Sequence, residues 1–445
     1  MYKTKQKIVL LITLLSSTLG IGQQLNNSPY TRYGLGELSL NTTAAYFGLG
    51  GASVAYSEYN HVNLSNPASY SSLIKYKPVF DVGMLVKMHQ FKTQTSSTTE
   101  STAALKSFTL ALPVFENTGI AFGLMPYSTV GYDINSYDVL NGDSVRYNYN
   151  GKGGVNKVFL GAGRELYNKN DSTKVSLGFN VAYLFGTIEN SRSVIYNDAT
   201  FYNSKINNYK TVSGFNFDVG LHFQKVLNQK QTIQIGVDYG LGNTINATKD
   251  FYAYNFKYSY SNIVETAKDT IDYAEDIKGE IYIPSNVKIG VALILSKKTI
   301  ISAEYASEAW STYSEKYGAE ELNTSNLSTS SKYSIGLSYT PTLMKDWNSK
   351  TKNVFQKSTY RFGARLANTN LIVNNTVIKD YGISFGISVP LLSSRSFSSL
   401  DLGMDLGKTG TIDSGLIEDN YFRIHLGFSL APTNYDRWFR KRKYD

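Results

Sequence analysis

Hydrophobic and polar residues alternate with a period of two along most of the chain, and that period predicts strands. Between Tyr421 and Leu430, Phe422, Ile424, Leu426, Phe428 and Leu430 share one face, while Arg423, His425, Gly427 and Ser429 share the other. Tyr381, Ile383, Phe385, Ile387 and Val389 oppose Gly382, Ser384, Gly386 and Ser388 in the same way. Phe215, Phe217, Val219, Leu221 and Phe223 oppose Asn216, Asp218, Gly220, His222 and Gln224. Sustained i, i+3, i+4, i+7 apolar patterns are missing. The spacing predicts fourteen strands, near 79–91, 105–114, 118–129, 155–166, 174–188, 211–226, 232–247, 284–296, 299–312, 331–341, 357–368, 380–391, 397–408 and 420–430.

The connections between these strands alternate in length. Those at 92–104, 130–154, 189–210, 248–283, 313–330, 369–379 and 409–419 are long. Those at 115–117, 167–173, 227–231, 297–298 and 392–396 are short, with 342–356 the exception. Long loops at one end, tight turns at the other, an even strand count and an apolar outer face mark an outer-membrane barrel. In lipid a β-structure satisfies its backbone only by closing on itself. The predicted fold is therefore all-β, a transmembrane antiparallel β-barrel of fourteen strands spanning 79–430. Residues 252–260 alternate Tyr252, Tyr254, Phe256, Tyr258 and Tyr260 against Ala253, Asn255, Lys257 and Ser259. They leave open a further strand or an extension above the membrane, and either an aromatic hairpin on the barrel rim or a binding role for the tyrosines.

Composition narrows the field. Of 445 residues, 42% are hydrophobic and 18% charged, with 35 Tyr, 22 Phe, 3 Trp and no Cys. Disulfide scaffolds and Cys-ligated metal sites are excluded, and so many aromatics exclude a disordered chain. No apolar run long enough for a transmembrane helix follows the first 25 residues. Abundant Tyr suits surfaces that are half apolar and half wet, as membrane interfaces are. Residues 1–22 read as a secretory signal peptide: Lys3, Lys5 and Lys7, then apolar Ile8 to Leu15, then Gly20-Ile21-Gly22 as a small-x-small cleavage site. Its removal takes three lysines from a formal charge of +9, and no Cys follows to open the lipoprotein route. The expected location is the Gram-negative outer membrane, with lipid and lipopolysaccharide as surroundings and both termini on the periplasmic side. The ending at 431–445 is a basic tail: Asp436 to Asp445 holds five cations and two anions. It reads either as solvated or as touching lipid phosphates or an acidic periplasmic partner, and Trp438-Phe439 beside the charges favours an interfacial position. Nucleic acid is not an expected partner in that compartment.

The segment 23–78 does not read as barrel wall. It runs Ser28-Pro29-Tyr30-Thr31-Arg32-Tyr33-Gly34-Leu35-Gly36, then Gly48-Leu49-Gly50-Gly51-Ala52-Ser53-Val54-Ala55, then Asn66-Pro67-Ala68. A small-residue stretch and Asn66-Pro67-Ala68 ahead of fourteen strands resemble the FadL-like family of outer-membrane transporters for hydrophobic compounds. The opening Ser28 to Gly36 resembles the version found in Bacteroidota, and the ending Asp436-Arg437-Trp438-Phe439 with Arg440 to Asp445 resembles barrel proteins of that phylum. That resemblance implies that 23–78 is a hatch plugging the lumen, and that a kink in the third strand opens the wall sideways for an apolar small-molecule ligand. The third strand here contains Met125-Pro126-Tyr127. Proline has no amide to donate, so in a barrel it interrupts the ladder or sits at a bulge. A gate and a bulge without a gating role both remain open.

The inner face carries charge at Asp218, Asp238, Lys288, Glu304, Arg361, Arg365, Asp401, Asp405, Arg423 and His425. Buried charges of both signs must pair, so one reading is a polar network bracing wall and hatch. The other gives Arg361 and Arg365, two apart on one face, a substrate carboxylate to hold. No enzyme is expected: the four histidines, His61, His89, His222 and His425, form no HExxH or His-x-His pair, and the Gly-x-Gly stretches lack a nucleotide-site context. No cofactor or metal is implied. Three functions stay open: passive uptake of fatty-acid-like compounds, an accessory barrel in a larger outer-membrane machine for barrel assembly or protein secretion (with other barrels or periplasmic proteins as partners), and a simple porin, against which the plug stands.

Overall fold

In the computed structural model the described residues are 27–74, 77–140, 142–198, 200–258, 264–322, 326–343, 353–391 and 398–431. The expected signal peptide at 1–22, the tail from 432 onward and Tyr260 lie outside them. The wall consists of β1 (Val79–Lys92), β2 (Ser97–Phe115), β3 (Thr118–Leu140), β4 (Asp143–Lys169), β5 (Thr173–Tyr196), β6 (Asn203–Asn228), β7 (Gln231–Gly240, resuming at Asn243–Tyr258), β8 (Glu265–Ile283, resuming at Asn286–Leu295), β9 (Thr299–Glu308), β10 (Ser330–Tyr339), β11 (Thr359–Val373), β12 (Thr376–Pro390), β13 (Ser399–Thr409) and β14 (Glu418–Leu430). Neighbours pair antiparallel, and β14 closes on β1 from Glu418–Lys92 to Leu430–Phe80. Alternation decides which way each side chain points. Leu426, Phe428 and Leu430 are exposed outward, whereas His425 and Ser429 are buried inward. The result is a closed fourteen-strand barrel with an apolar outer face, the arrangement a bilayer demands of a β-structure.

Five of the seven connections expected to be long are continuations of the ladder instead. β3 and β4 stay paired out to Leu140–Asp143, β5 and β6 to Val194–Ser204, and β7 and β8 to Tyr258–Glu265. Thus 252–258 continues β7 and adds no fifteenth strand. β1 and β2 pair to Lys92–Ser97, and β11 and β12 turn at Asn374-Asn375, both with positive φ (49° and 58°), the signature of a two-residue type I′ hairpin. Polar residues dominate these stretches, which therefore read as loop. Val130, Ile188, Val212, Ile245 and Ile281 pack into one inner cluster that sustains the extended sheet. The connection after β9 folds inward onto the same cluster: Trp310, Tyr313, Tyr317 and Leu327 are buried in it, and Ser314–Tyr317 pairs with Gly279–Tyr282 of β8. β9 accordingly ends at Glu308 rather than at 312.

Orientation is a prediction that protease accessibility checks. A protease site inserted between Asn374 and Asn375 is expected to be cut on intact cells, and one between Ser296 and Lys297 to be protected until the outer membrane is permeabilised. The opposite pattern inverts the barrel.

Candidate functional site

The segment from Asn27 to Ile74 lies against the inner face of strands all round the wall. Its fold is local and small: helical turns at Pro29–Arg32, Ala44–Phe47 and Pro67–Ser72, and a two-residue strand, Glu37–Leu38. Asn66 starts the third turn by accepting from the Ala68 amide at 3.0 Å, the service an N-cap side chain performs. Its own amide donates to the carbonyls of Val54 and, across to β6, Leu221, at 3.0 and 3.1 Å. Pro67 follows at the first helical position, where its missing amide costs nothing. Asn66, Pro67 and Ala68 therefore dock a turn on the wall. Close approach explains two inward glycines. A Cβ at Gly178 would collide with the Pro67–Ala68 backbone, and one at Gly363 with that of Leu49. The inward small residues were visible in the alternation and were the available signal for this contact.

The polar residues of the inner face divide among four arrangements, with His425 apart. Glu304 accepts the Ser53 and Val54 amides at 2.9 and 2.8 Å, so backbone rather than a cation satisfies it. Asp238 pairs with Lys288 at 2.7 Å, and both, with Asp218, line a small polar recess that includes Lys157 and Asn41. Arg361 is 1% exposed and donates to Glu58 at 2.7 Å and Ser388 at 2.6 Å. Glu58 also meets His61 at 2.7 Å, and His61 lies 3.5 Å from Asp401. Arg365 grips Asp405 with two bonds of 2.8 and 2.9 Å and reaches Asp380 at 2.9 Å. Arg423 reaches Asp405 at 2.8 Å and lies over the Tyr421 ring at 4.1 Å. Arg361 thus gives one donor to a carboxylate and one to a hydroxyl, Arg365 grips two carboxylates, and the two are not brought together around a shared space. His425 is fully buried, packs edge-on to Phe47 at 5.2 Å, and bonds through neither ring nitrogen among the described residues.

Burial opposes the charge on His61, but Asp401 and Glu58 outweigh it and raise its pKa to about 10. Burial likewise opposes ionisation of Glu58, and Arg361 and His61 outweigh it, holding the carboxyl well below its ordinary range. Neither residue was singled out as a candidate here, because each meets its partners only once the N-terminal segment has folded back into the barrel.

The wall ladder stops short between β2 and β3. They pair only from Phe115–Thr118 to Phe108–Leu124. Beyond that point β3 turns its free edge to the N-terminal segment: Glu37 and Leu38 pair with Thr129 and Ser128, Ser39 donates to the Tyr127 carbonyl at 2.9 Å, and Thr31 donates to the Gly131 carbonyl at 2.9 Å. Met125-Pro126-Tyr127 stands where the strands part, with the register against β4 slipping between Pro126 and Ser128. A narrow cavity of about 40 Å³ opens at this seam, lined by Leu38, Leu40, Ala104, Lys106 and Pro126 among others. Glu37, Leu38, Leu40 and Arg423 line it and also a larger lumen cavity of about 250 Å³. That lumen cavity has a mixed lining: His89, Lys288, Arg365, Asp380 and Tyr421 share its walls with Leu38, Leu40, Leu371 and Ile378.

A closed fourteen-strand antiparallel barrel holding a folded N-terminal segment defines the fold class, and that fold resembles FadL-like barrels. The fold is similar to the Pseudomonas putida toluene transporter TodX (TM-score 0.55, 14% identity, 89% of this chain and 99% of that one). It is similar to a Pseudomonas aeruginosa FadL homologue (0.55, 10%, 89% and 98%) and to the Ralstonia pickettii toluene transporter TbuX (0.53, 12%, 88% and 98%). At such identities the likeness is one of fold. No curated protein matches the chain. The model of the BamG family matches residues 4–445, and the chain belongs to that family.

Proposed function

We propose that this barrel passes an apolar, fatty-acid-like compound between its lumen and the membrane through the seam beside Pro126, with residues 27–74 as the plug that keeps water and solutes out. The observation that carries the reading is the ladder between β2 and β3 ending at Phe108–Leu124, with a cavity at the break that shares its lining with the lumen. TodX and TbuX, which share the fold, are titled toluene transporters. Passage is expected to need the seam. Ala104 lines it with a methyl group, and Ala104→Trp fills it. Uptake of a labelled long-chain fatty acid by cells lacking other such transporters should fall to the empty-vector level at unchanged surface abundance. Pro126→Val restores an amide donor worth about 1 kcal/mol, so its effect should be partial, about two- to fivefold. Equal uptake in wild type, both variants and empty-vector cells rejects passage.

A second reading, a non-transporting accessory barrel in a larger outer-membrane machine for barrel assembly or protein secretion, is favoured by the lumen itself. Its cavity sets ion-paired arginines and carboxylates among its apolar lining, and the family model that spans the chain is that of BamG. Gentle purification from the native membrane decides for it if a stoichiometric outer-membrane partner comes with the barrel.

A further inference from the structure

Both strands that part at the seam carry an extra residue there. On β2 the register against β1 slips between Ser107–Gly83 and Leu105–Met84, leaving Lys106 unpaired. On β3 the corresponding slip against β4 leaves Tyr127 unpaired. A bulge re-aims a side chain that plain alternation would send the other way. Leu105 and Phe108 face outward, yet Lys106 and Ser107 are both buried, at 5% and 1% exposure. The bulge thus turns the Lys106 ammonium off the lipid face and into the seam cavity.

The other cations at this cavity are matched: Lys87 on Glu37 at 3.0 Å and Arg423 on Asp405 at 2.8 Å. Lys106 makes no hydrogen bond or ion pair among the described residues. The charges around it are Lys87, Glu37, Lys157 and Arg423, three cations and one anion already engaged. A buried amine is costly to keep charged without a partner, and an incoming anion would supply that partner. Ser39 and Thr129 apart, the remaining lining is apolar, with Leu38, Leu40, Phe47 and Leu85 among it. Outside the wall, Leu105, Phe108 and Leu124 border the parting strands toward lipid. A cation set among leucines at a slot in a membrane wall matches a molecule with an anionic head and an apolar chain. We propose that Lys106 is a headgroup site, binding the carboxylate or phosphate of an anionic amphiphile whose chain lies between β2 and β3. The proposal rests on the reading that the wall opens at this seam.

The test uses the full chain in phosphatidylcholine nanodiscs with three spin-labelled probes: stearic acid, its methyl ester and phosphatidylglycerol. Wild type is expected to hold at least one anionic probe about tenfold more tightly than the ester, the scale of one charge-assisted hydrogen bond. Retention of the acid alone assigns a free carboxylate, and of phosphatidylglycerol alone a membrane phospholipid. Lys106→Gln should lose the preference and Lys106→Arg keep it, both migrating as heat-modifiable barrels. No preference in wild type, or the same preference in Lys106→Gln, overturns the proposal, and the wild-type comparison stands even if a variant does not fold. Binding is read without passage. A failed headgroup site with uptake still blocked by Ala104→Trp therefore leaves the opening intact, while a lost opening shows in uptake alone.

Discussion

Deleting residues 23–70 turns a silent barrel into a conducting one in planar bilayers. Barrels of eight strands are filled by their own side chains, and those of sixteen to eighteen leave an aqueous channel. Fourteen strands enclose a lumen that needs filling, and here the filling is the N-terminal segment, whose Tyr46, Leu49, Ala55 and Tyr56 form a buried cluster against the wall. The wall does not depend on that segment for closure, because β1 begins at Val79 and pairs directly with β14. Glu304 and Arg361 would lose their partners but gain water, so the deleted barrel should still run as a heat-modifiable band. A discrete open level above background is the expected result. A folded but silent deletion would transfer the sealing role to the inward-folded connection at Trp310–Tyr317.

Glu58→Gln should loosen the same segment by about 3–5 kcal/mol, the cost of stranding one member of a buried ion pair. Arg361 is the member stranded, 1% exposed with Ser388 as its remaining acceptor. Amide exchange over residues 44–72 measures the loss, which should be far smaller in a Glu58→Leu, Arg361→Leu double variant, where no charge is left behind. The same centre sets a pH dependence. His61 has its pKa raised from 6.5 to about 10, so its contribution is full below 6.5 and disappears as pH rises through 10. Glu58 has its pKa lowered from 4.5, so its contribution is full above 4.5 and disappears as pH falls through the lower folded-state value. Protection of residues 44–72 should therefore be greatest between pH 4.5 and 6.5 and decline toward pH 10. A flat profile over pH 6.5–10 would show that His61 is not held charged by Asp401 and Glu58.

The barrel was legible because a period of two is the one signal that each strand writes into its own residues. Arg361, Asp401 and His425 fall on the inner face simply because Phe362, Leu400 and Leu426 next to them face lipid. Pro126 marked the place where the ladder ends, since a missing amide is a local property. What stayed hidden is what a second element decides. The extended hairpins read as loops because their polar residues outnumber the apolar ones that pack inside. Glu58 finds Arg361 303 positions away, and His61 finds Ser399 338 positions away. Plain alternation puts Lys106 in the same row as Phe108 and Leu110, and only the register slip opposite Gly83 turns it inward.

The Glu37–Leu38 pairing with β3, together with the Ser53 and Val54 bonds to β9 and the His61 contact with β13, sets an order of assembly. The first residues to be made touch strands that are among the last, so their contacts close loops of hundreds of residues and form slowly. Because its bonds reach strands from β3 to β13, the N-terminal segment gains its full set of contacts only when most of the wall is in place.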